Sequence, residues 1–328
     1  MLVKMALYGL KSSGAAFRAK LAGVLHDIGY TPTKADPDVW IRPAVKVDGT
    51  EYYEMALCYV DDVLVMSAKA METMDGIRAT FKLKGDKAEK PDMYLGASLE
   101  EVETTSGTKC WSMSSEKYVK AAVTNVEERL SKMDMRLPSK CDTPMSTGYH
   151  PSEDVSRELN AEGLHMYQEM IGVLRWAIEI GRIDILLEVS LLSSHLALPR
   201  VGHLQAVYRI FGYLKQVPKR KLYFDPTKPN ISEDRFRSFD WEDFYRGAKE
   251  PIPYDMPEPR GKPVSTHCFV DANHAGDKTT RRAMTGILIF CNRSPIIWHA
   301  KRQNGVETST FGSEFTAMKN AVELIALN

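Results

Sequence analysis

The sequence is poor in cysteine, balanced in charge and without any long apolar run. Its five cysteines, Cys58, Cys110, Cys141, Cys268 and Cys291, are scattered over 328 residues and include no CxxC pair. That distribution argues against a disulfide framework and against a zinc knuckle, and it suits a reducing intracellular setting, whether cytoplasmic particle or nucleus. The eight histidines show no spacing suited to zinc. Lys plus Arg and Asp plus Glu each number 43, so the formal net charge is zero. No global field attracts a polyanion, and any affinity for nucleic acid must come from local patches. No apolar stretch approaches the roughly 20 residues needed to span a bilayer. The opening MLVKMALYGLKSSG lacks the apolar core of a signal peptide, so no membrane partner is expected. Ser12, Ser13 and Gly14 make no phosphate-binding loop, because the glycines followed by Lys and Ser or Thr are absent.

What is present is a chain with 44% hydrophobic and 26% charged residues, enough for two or three modest domains. Phe17, Leu21, Val24, Leu25 and Ile28 recur at helical spacing and stop at Gly29. Strand-like segments follow at 39–41, 52–58 and 63–66. Residues 116–133 and most of 161–216 read as helix, with Ile171, Leu174 and Ile178 on one face. From Asp225 to Pro263 the chain is proline-rich and of mixed charge, including PIPYDMPEPRGKP, which reads as a linker or insertion. STHCFVDA, AMTGILIFC and PIIWHAKRQ then predict three successive strands, and a helix starts near Thr310. The expected class is α+β.

Two acidic constellations stand out. Asp61 and Asp62 sit between the apolar runs ending in Tyr59-Val60 and beginning at Val63. Successive strand residues point to opposite faces, so the two carboxylates share a target only if a turn lies between them. A hairpin carrying the pair in or beside its turn would group hard oxygens suited to magnesium. An ordinary turn that uses Asp for its turn chemistry is the alternative. In the second constellation, Asp271 ends a predicted strand. Glu314 falls in the first turn of the last helix, sharing a face with Ala317, Met318, Ala321 and Ile325. Burying that carboxylate without a partner would cost several kcal/mol, so a partner or a metal is expected. The alternative is that it complements the helix dipole.

These strings resemble copia-type retrotransposon polyproteins, in the region that runs from reverse transcriptase into ribonuclease H. Tyr59-Val60-Asp61-Asp62 is similar to the reverse-transcriptase signature, and Ala6-Leu7-Tyr8-Gly9-Leu10-Lys11 to the ALYGLK segment. Tyr94-Leu95-Gly96, Thr143-Pro144-Met145 and Tyr213-Leu214-Lys215 follow in the family's order. Phe269-Val270-Asp271, Arg281-Arg282, Lys301-Arg302-Gln303 and Ser313-Glu314-Phe315 resemble its ribonuclease H block. Asn273-His274 and Thr310-Phe311-Gly312 depart from that block.

The resemblance implies a partial reverse transcriptase, with palm, primer grip and start of thumb, over 1–147. It implies a helical thumb or connection region over 148–224 and the N-terminal half of a ribonuclease H-like domain over 264–328, on either side of the linker or insertion at 225–263. Asp61, Asp62, Asp271 and Glu314 would be catalytic metal ligands for magnesium, with manganese as a substitute. Tyr8, Gly9, Lys11, Tyr59, Lys301 and Arg302 would contact nucleic acid. Substrates and partners would be an RNA template, a DNA primer, an RNA–DNA hybrid and nucleotides, together with the rest of a polyprotein or a partner subunit. The family's palm takes a further aspartate from an earlier strand, and its ribonuclease takes later acidic ligands. None has a matching position in this chain, so each acidic set is expected to be incomplete. A decayed or co-opted remnant that binds nucleic acid or protein without catalysis is the alternative.

Overall fold

A computed structural model describes residues 12–83, 89–231, 244–247 and 254–327. It divides into two compact units, Met1–Lys90 with Pro229–Val264, and Pro91–Lys228 with Ser265–Asn328. The class is α+β, with three antiparallel sheets among the described residues. No described helix is long and apolar enough to cross a membrane.

The first unit opens with helix α1 (Ser13–Asp27), which buries Leu21, Val24 and Leu25. It stops where Gly29 takes φ +90°, a conformation that costs glycine little and other residues much. The chain then forms β1 (Thr31–Pro32), β2 (Val39–Val45), β3 (Glu51–Tyr59) and β4 (Asp62–Met66), paired in that order. Helix α2 (Ala70–Arg78) lies close to α1: a Cβ on Gly76 would come within 2.9 Å of Ile28. Leu25, Tyr30, Trp40, Ala56 and Ile77 form the core between helices and sheet.

Beside that core lies a buried carboxylate, Glu54, only 2% exposed. It accepts hydrogen bonds from Arg42, Ser67 and Tyr52. Burial pushes its carboxyl up, but the Ser67 and Arg42 hydrogen bonds outweigh this and hold it below the usual range. Part of the proline-rich segment packs in this unit. Tyr53 Oη donates to the Glu258 carbonyl at 2.7 Å, Arg260 pairs with Glu51 at 2.9 Å, and Lys34 pairs with Asp255.

In the second unit, β5 (Met93–Tyr94), β6 (Ala97–Glu103), β7 (Lys109–Ser114) and β8 (Lys221–Phe224) form a sheet in that order. The pairing of β7 with β8 joins residues 91–114 to the far end of the helical region. Helices α3 (Glu116–Lys132), α4 (Ala161–Glu179), α5 (Leu186–Ser193) and α6 (Val201–Gln216) share the largest core, which includes Leu130, Tyr167, Leu174, Leu192 and Phe211. Asn160 caps α4, its side-chain oxygen accepting the Gly163 N–H at 2.9 Å. The helical reading of 161–216 resolves into three helices for local reasons. Gly181 turns the chain at φ +104°, and Pro199 blocks a continuous run from α5 into α6.

The third sheet comprises β9 (Thr266–Asn273), β10 (Met284–Cys291) and β11 (Ser294–Arg302), ordered β11-β10-β9. Helix α7 (Thr310–Leu327) packs Ala321 against Ile287 and Ile289. Helix α5 reaches the outer side of β11, where Ser190 Oγ donates to the Ala300 carbonyl at 2.6 Å. The loop after β9 is fastened to residues 152–153. Thr279 Oγ1 donates to the Ser152 carbonyl at 2.7 Å, and Lys278 pairs with Glu153 at 3.0 Å.

Candidate functional site

The first acidic pair sits at a hairpin tip. The last register pair of β3 and β4 is Tyr59 with Asp62, which leaves Val60 and Asp61 as the two turn residues. Such short hairpins favour a positive φ at the first turn position, usually supplied by glycine. Here Val60 takes it, at φ +55°. A β-branched residue in that region is strained, and strain of this kind concentrates at functional turns. Asp61 and Asp62 are both exposed, as are Tyr59 and Val60. The turn thus presents two adjacent carboxylates to solvent on a rigid strand pair. Tyr8, Gly9 and Lys11 lie outside the described residues.

The second acidic pair is built from an edge strand and a helix start. Strand β9 runs two residues beyond Asp271, to Asn273, so Asp271 lies within the strand rather than at its end. Strand alternation puts it on the face opposite Ala272, which is 6% exposed. Glu314 lies one turn into α7, which starts at Thr310, rather than in its first turn as the sequence suggested, and it accepts the Ala272 backbone N–H through Oε2 at 3.1 Å. This bond fastens Glu314 to the peptide immediately after Asp271. The helix buries Ala317 and Ala321 but leaves Met318 and Ile325 exposed, at 49% and 41%. Glu314 therefore lies at the margin of the buried face, half-buried and with a donor.

Three residues around this pair had no assigned role in the sequence reading. Ser313, fully buried, stands within 3.2 Å of His274 Nδ1 through its hydroxyl. Gln303 Nε2 donates to the Ser313 carbonyl at 2.9 Å and to Thr285 Oγ1 at 3.0 Å. The strings Asn273-His274 and Lys301-Arg302-Gln303 flank the acidic residues in sequence, but nothing in their spacing shows that they converge on Ser313.

Lys301 is exposed and makes no ion pair among the described residues. Arg302 instead donates to Asp277 Oδ2 at 2.7 Å. Burial raises the Asp277 carboxyl, but the Thr280 and Thr279 N–H groups and the Arg302 guanidinium outweigh burial and bring its pKa down to about 2. Among the described residues, no group of three or more His, Cys, Asp or Glu is placed to hold a metal ion.

One acidic pair thus sits at a hairpin tip and the other is shared between a strand and a helix, with family-like strings around each. The chain is 24% identical over 321 residues to a retrovirus-related Pol polyprotein from transposon RE1 of Arabidopsis thaliana, covering 97% of this chain and 18% of that protein. It is 26% identical over 323 residues to the corresponding polyprotein from transposon TNT 1-94 of Nicotiana tabacum, covering 95% and 20%. A transposon Ty5-1 protein of Saccharomyces cerevisiae is 24% identical over 322 residues, covering 97% of this chain and 87% of the yeast protein. The chain is a relative of the retrotransposon Pol polyproteins. It spans about a fifth of the length of its plant relatives. No protein-family model matches this Pol-related chain. No solved structure matches it either.

Proposed function

We propose that the Pol-related chain carries part of an RNA-directed DNA polymerase in its first unit and part of an RNA–DNA hybrid ribonuclease at its C-terminal end. Both would act by phosphoryl transfer. In this reading the β1–β4 sheet is palm-like, the α3–α6 region corresponds to thumb and connection, and β9–β11 with α7 opens a ribonuclease H-like fold. The observation that carries it is the hairpin tip, where a strained Val60 holds Asp61 and Asp62 at the end of the strand pair.

The donor sets suit magnesium, with manganese as a substitute. Carboxylates are hard oxygen donors, and magnesium commonly takes one or two of them and fills its shell with water and substrate phosphates. Asp61 would be the direct ligand and Asp62 the supporting carboxylate. In the second site, Glu314 has one oxygen engaged by the Ala272 N–H, leaving Oε1 to act with Asp271. When bound, the metal would supply charge neutralisation at the phosphoryl group and a more acidic attacking hydroxyl or water. The chain's own residues hold and orient: the Ala272 N–H steadies Glu314, and the Gln303–Ser313 bond fixes the start of its helix. The remaining polyprotein, or a partner subunit, would complete each acidic set.

Purified chain given RNA template, DNA primer, nucleotides and magnesium tests the polymerase half, and labelled RNA in a hybrid tests the ribonuclease half. The metal-ligand reading expects any extension to vanish with Asp61→Asn and any hybrid cleavage to vanish with Glu314→Gln. Activity that survives these changes would contradict the assignment. The lack of a three-ligand cluster among the described residues favours a second reading, in which the chain binds nucleic acid without turnover. Salt-dependent hybrid binding with no cleavage identifies that case.

A further inference from the structure

Within the second unit, a cleft of about 560 Å³ lies along the outer side of β11, against α4 and α5. It is two strands away from Asp271, on the opposite edge of the three-stranded sheet. Its walls carry Arg175 from α4, Arg282 from the loop between β9 and β10, and Lys301 and Arg302 from β11. Arg302 is occupied by Asp277. Arg175, Arg282 and Lys301 make no ion pair among the described residues. Glu179 is the one acidic side chain among the described residues that line it. Three unneutralised cations thus converge from three separate elements on a chain whose net charge is zero.

The cleft also has a built floor. Gln303, 5% exposed, has its amide nitrogen committed to Thr285 and Ser313, while its Oε1 has no hydrogen-bond donor. A buried acceptor without a donor is costly, and a ligand that brings a hydroxyl relieves it. Phosphates set beside 2′-hydroxyls are what an RNA backbone offers, whereas DNA and a simple polyanion lack that hydroxyl.

We propose that this cleft is a binding site for the phosphodiester backbone of an RNA strand, alone or in a hybrid, with Arg175, Arg282 and Lys301 contacting phosphates. The assignment rests on the nucleic-acid reading of the chain and adds to it a site that draws on the helical region. Occupancy bears on the second acidic pair as well, because Gln303 links the cleft floor to Ser313, the residue before Glu314.

Fluorescence anisotropy of the full chain with a labelled RNA–DNA hybrid, across a salt series, tests the proposal. Arg175→Ala/Arg282→Ala/Lys301→Ala is expected to weaken binding by about tenfold or more and to flatten the salt slope by about one unit per cation removed. Lys109→Ala/Lys132→Ala/Lys140→Ala removes equal charge elsewhere and is expected to leave the slope unchanged. Circular dichroism confirms that both variants fold. If the wild-type chain binds but the cleft variant matches it in affinity and slope, the cleft assignment fails while the general reading stands. If the wild-type chain binds no hybrid, both fail. Inorganic polyphosphate of equal charge should compete more weakly than unlabelled hybrid; equal competition would reduce the cleft to an anion patch and overturn the proposal.

Discussion

Val60 is 73% exposed, so its side chain gains almost nothing from packing, yet its backbone is held at φ +55°. Left-handed backbone costs a β-branched residue on the order of 1–3 kcal/mol, partly offset on replacement by the larger unfolded-state entropy of glycine. Val60→Gly is therefore expected to raise stability by about 1 kcal/mol in urea denaturation. A lower midpoint would show that the turn is not strained. The sequence made the carboxylate pair and its hairpin legible, because two apolar runs flank two aspartates. The strain was hidden, since Val60 reads locally as a good strand residue and only the pairing of Tyr59 with Asp62 puts it in the turn. Glu314 was half legible in the same way. Its helix follows from spacing, whereas the helix begins a full turn before it, and its donor, the Ala272 N–H, comes from a strand 42 residues away.

At the scale of elements, the junction between the loop after β9 and the helical region is both polar and buried. Asp277 is 8% exposed and bound to Arg302, and nearby His195 packs against His203, the rings tilted by 35° with centroids 4.2 Å apart. Burial lowers the His195 pKa, its proximity to His203 and to the Arg302 guanidinium lowers it further, and it falls from 6.5 to about 4. Both groups thus titrate below their unfolded values, so the unfolded chain binds more protons and stability is lost as pH falls. The His195 contribution is present above about pH 6.5 and lost by about pH 4. The Asp277 contribution persists to lower pH and is lost between 3.8 and about 2. Urea midpoints followed by the near-ultraviolet signal should decline from about pH 6.5 downward, and His195→Gln should flatten the decline above about pH 4. An unchanged slope in that variant would remove His195 from this account. Sequence periodicity showed the helices here but not their junction, because His195 and Asp277 meet only through tertiary packing. Similarly, Gly212 looks like an ordinary helix position, but a Cβ there would come within 2.7 Å of the Pro138 carbonyl.

For the whole molecule, the order of elements was more legible than their grouping. Strands at 39–66, helices through 116–216, and three strands with a closing helix follow from hydrophobic period and turn residues. The grouping depends on contacts that no local pattern encodes: β8 pairs with β7 across more than 100 residues, and Glu258 and Arg260 return to Tyr53 and Glu51. The proline-rich composition suggested a linker or insertion, but composition does not reveal that a tyrosine hydroxyl and a salt bridge fasten part of it. The proposed function rests on metal-assisted chemistry at the two carboxylate pairs. Manganese binding followed by water-proton relaxation tests that claim most directly, because it reads the metal without requiring turnover. The account predicts binding to the wild-type chain that falls in separate steps with Asp61→Asn/Asp62→Asn and with Glu314→Gln. Binding that is absent, or unchanged in both variants, would contradict it.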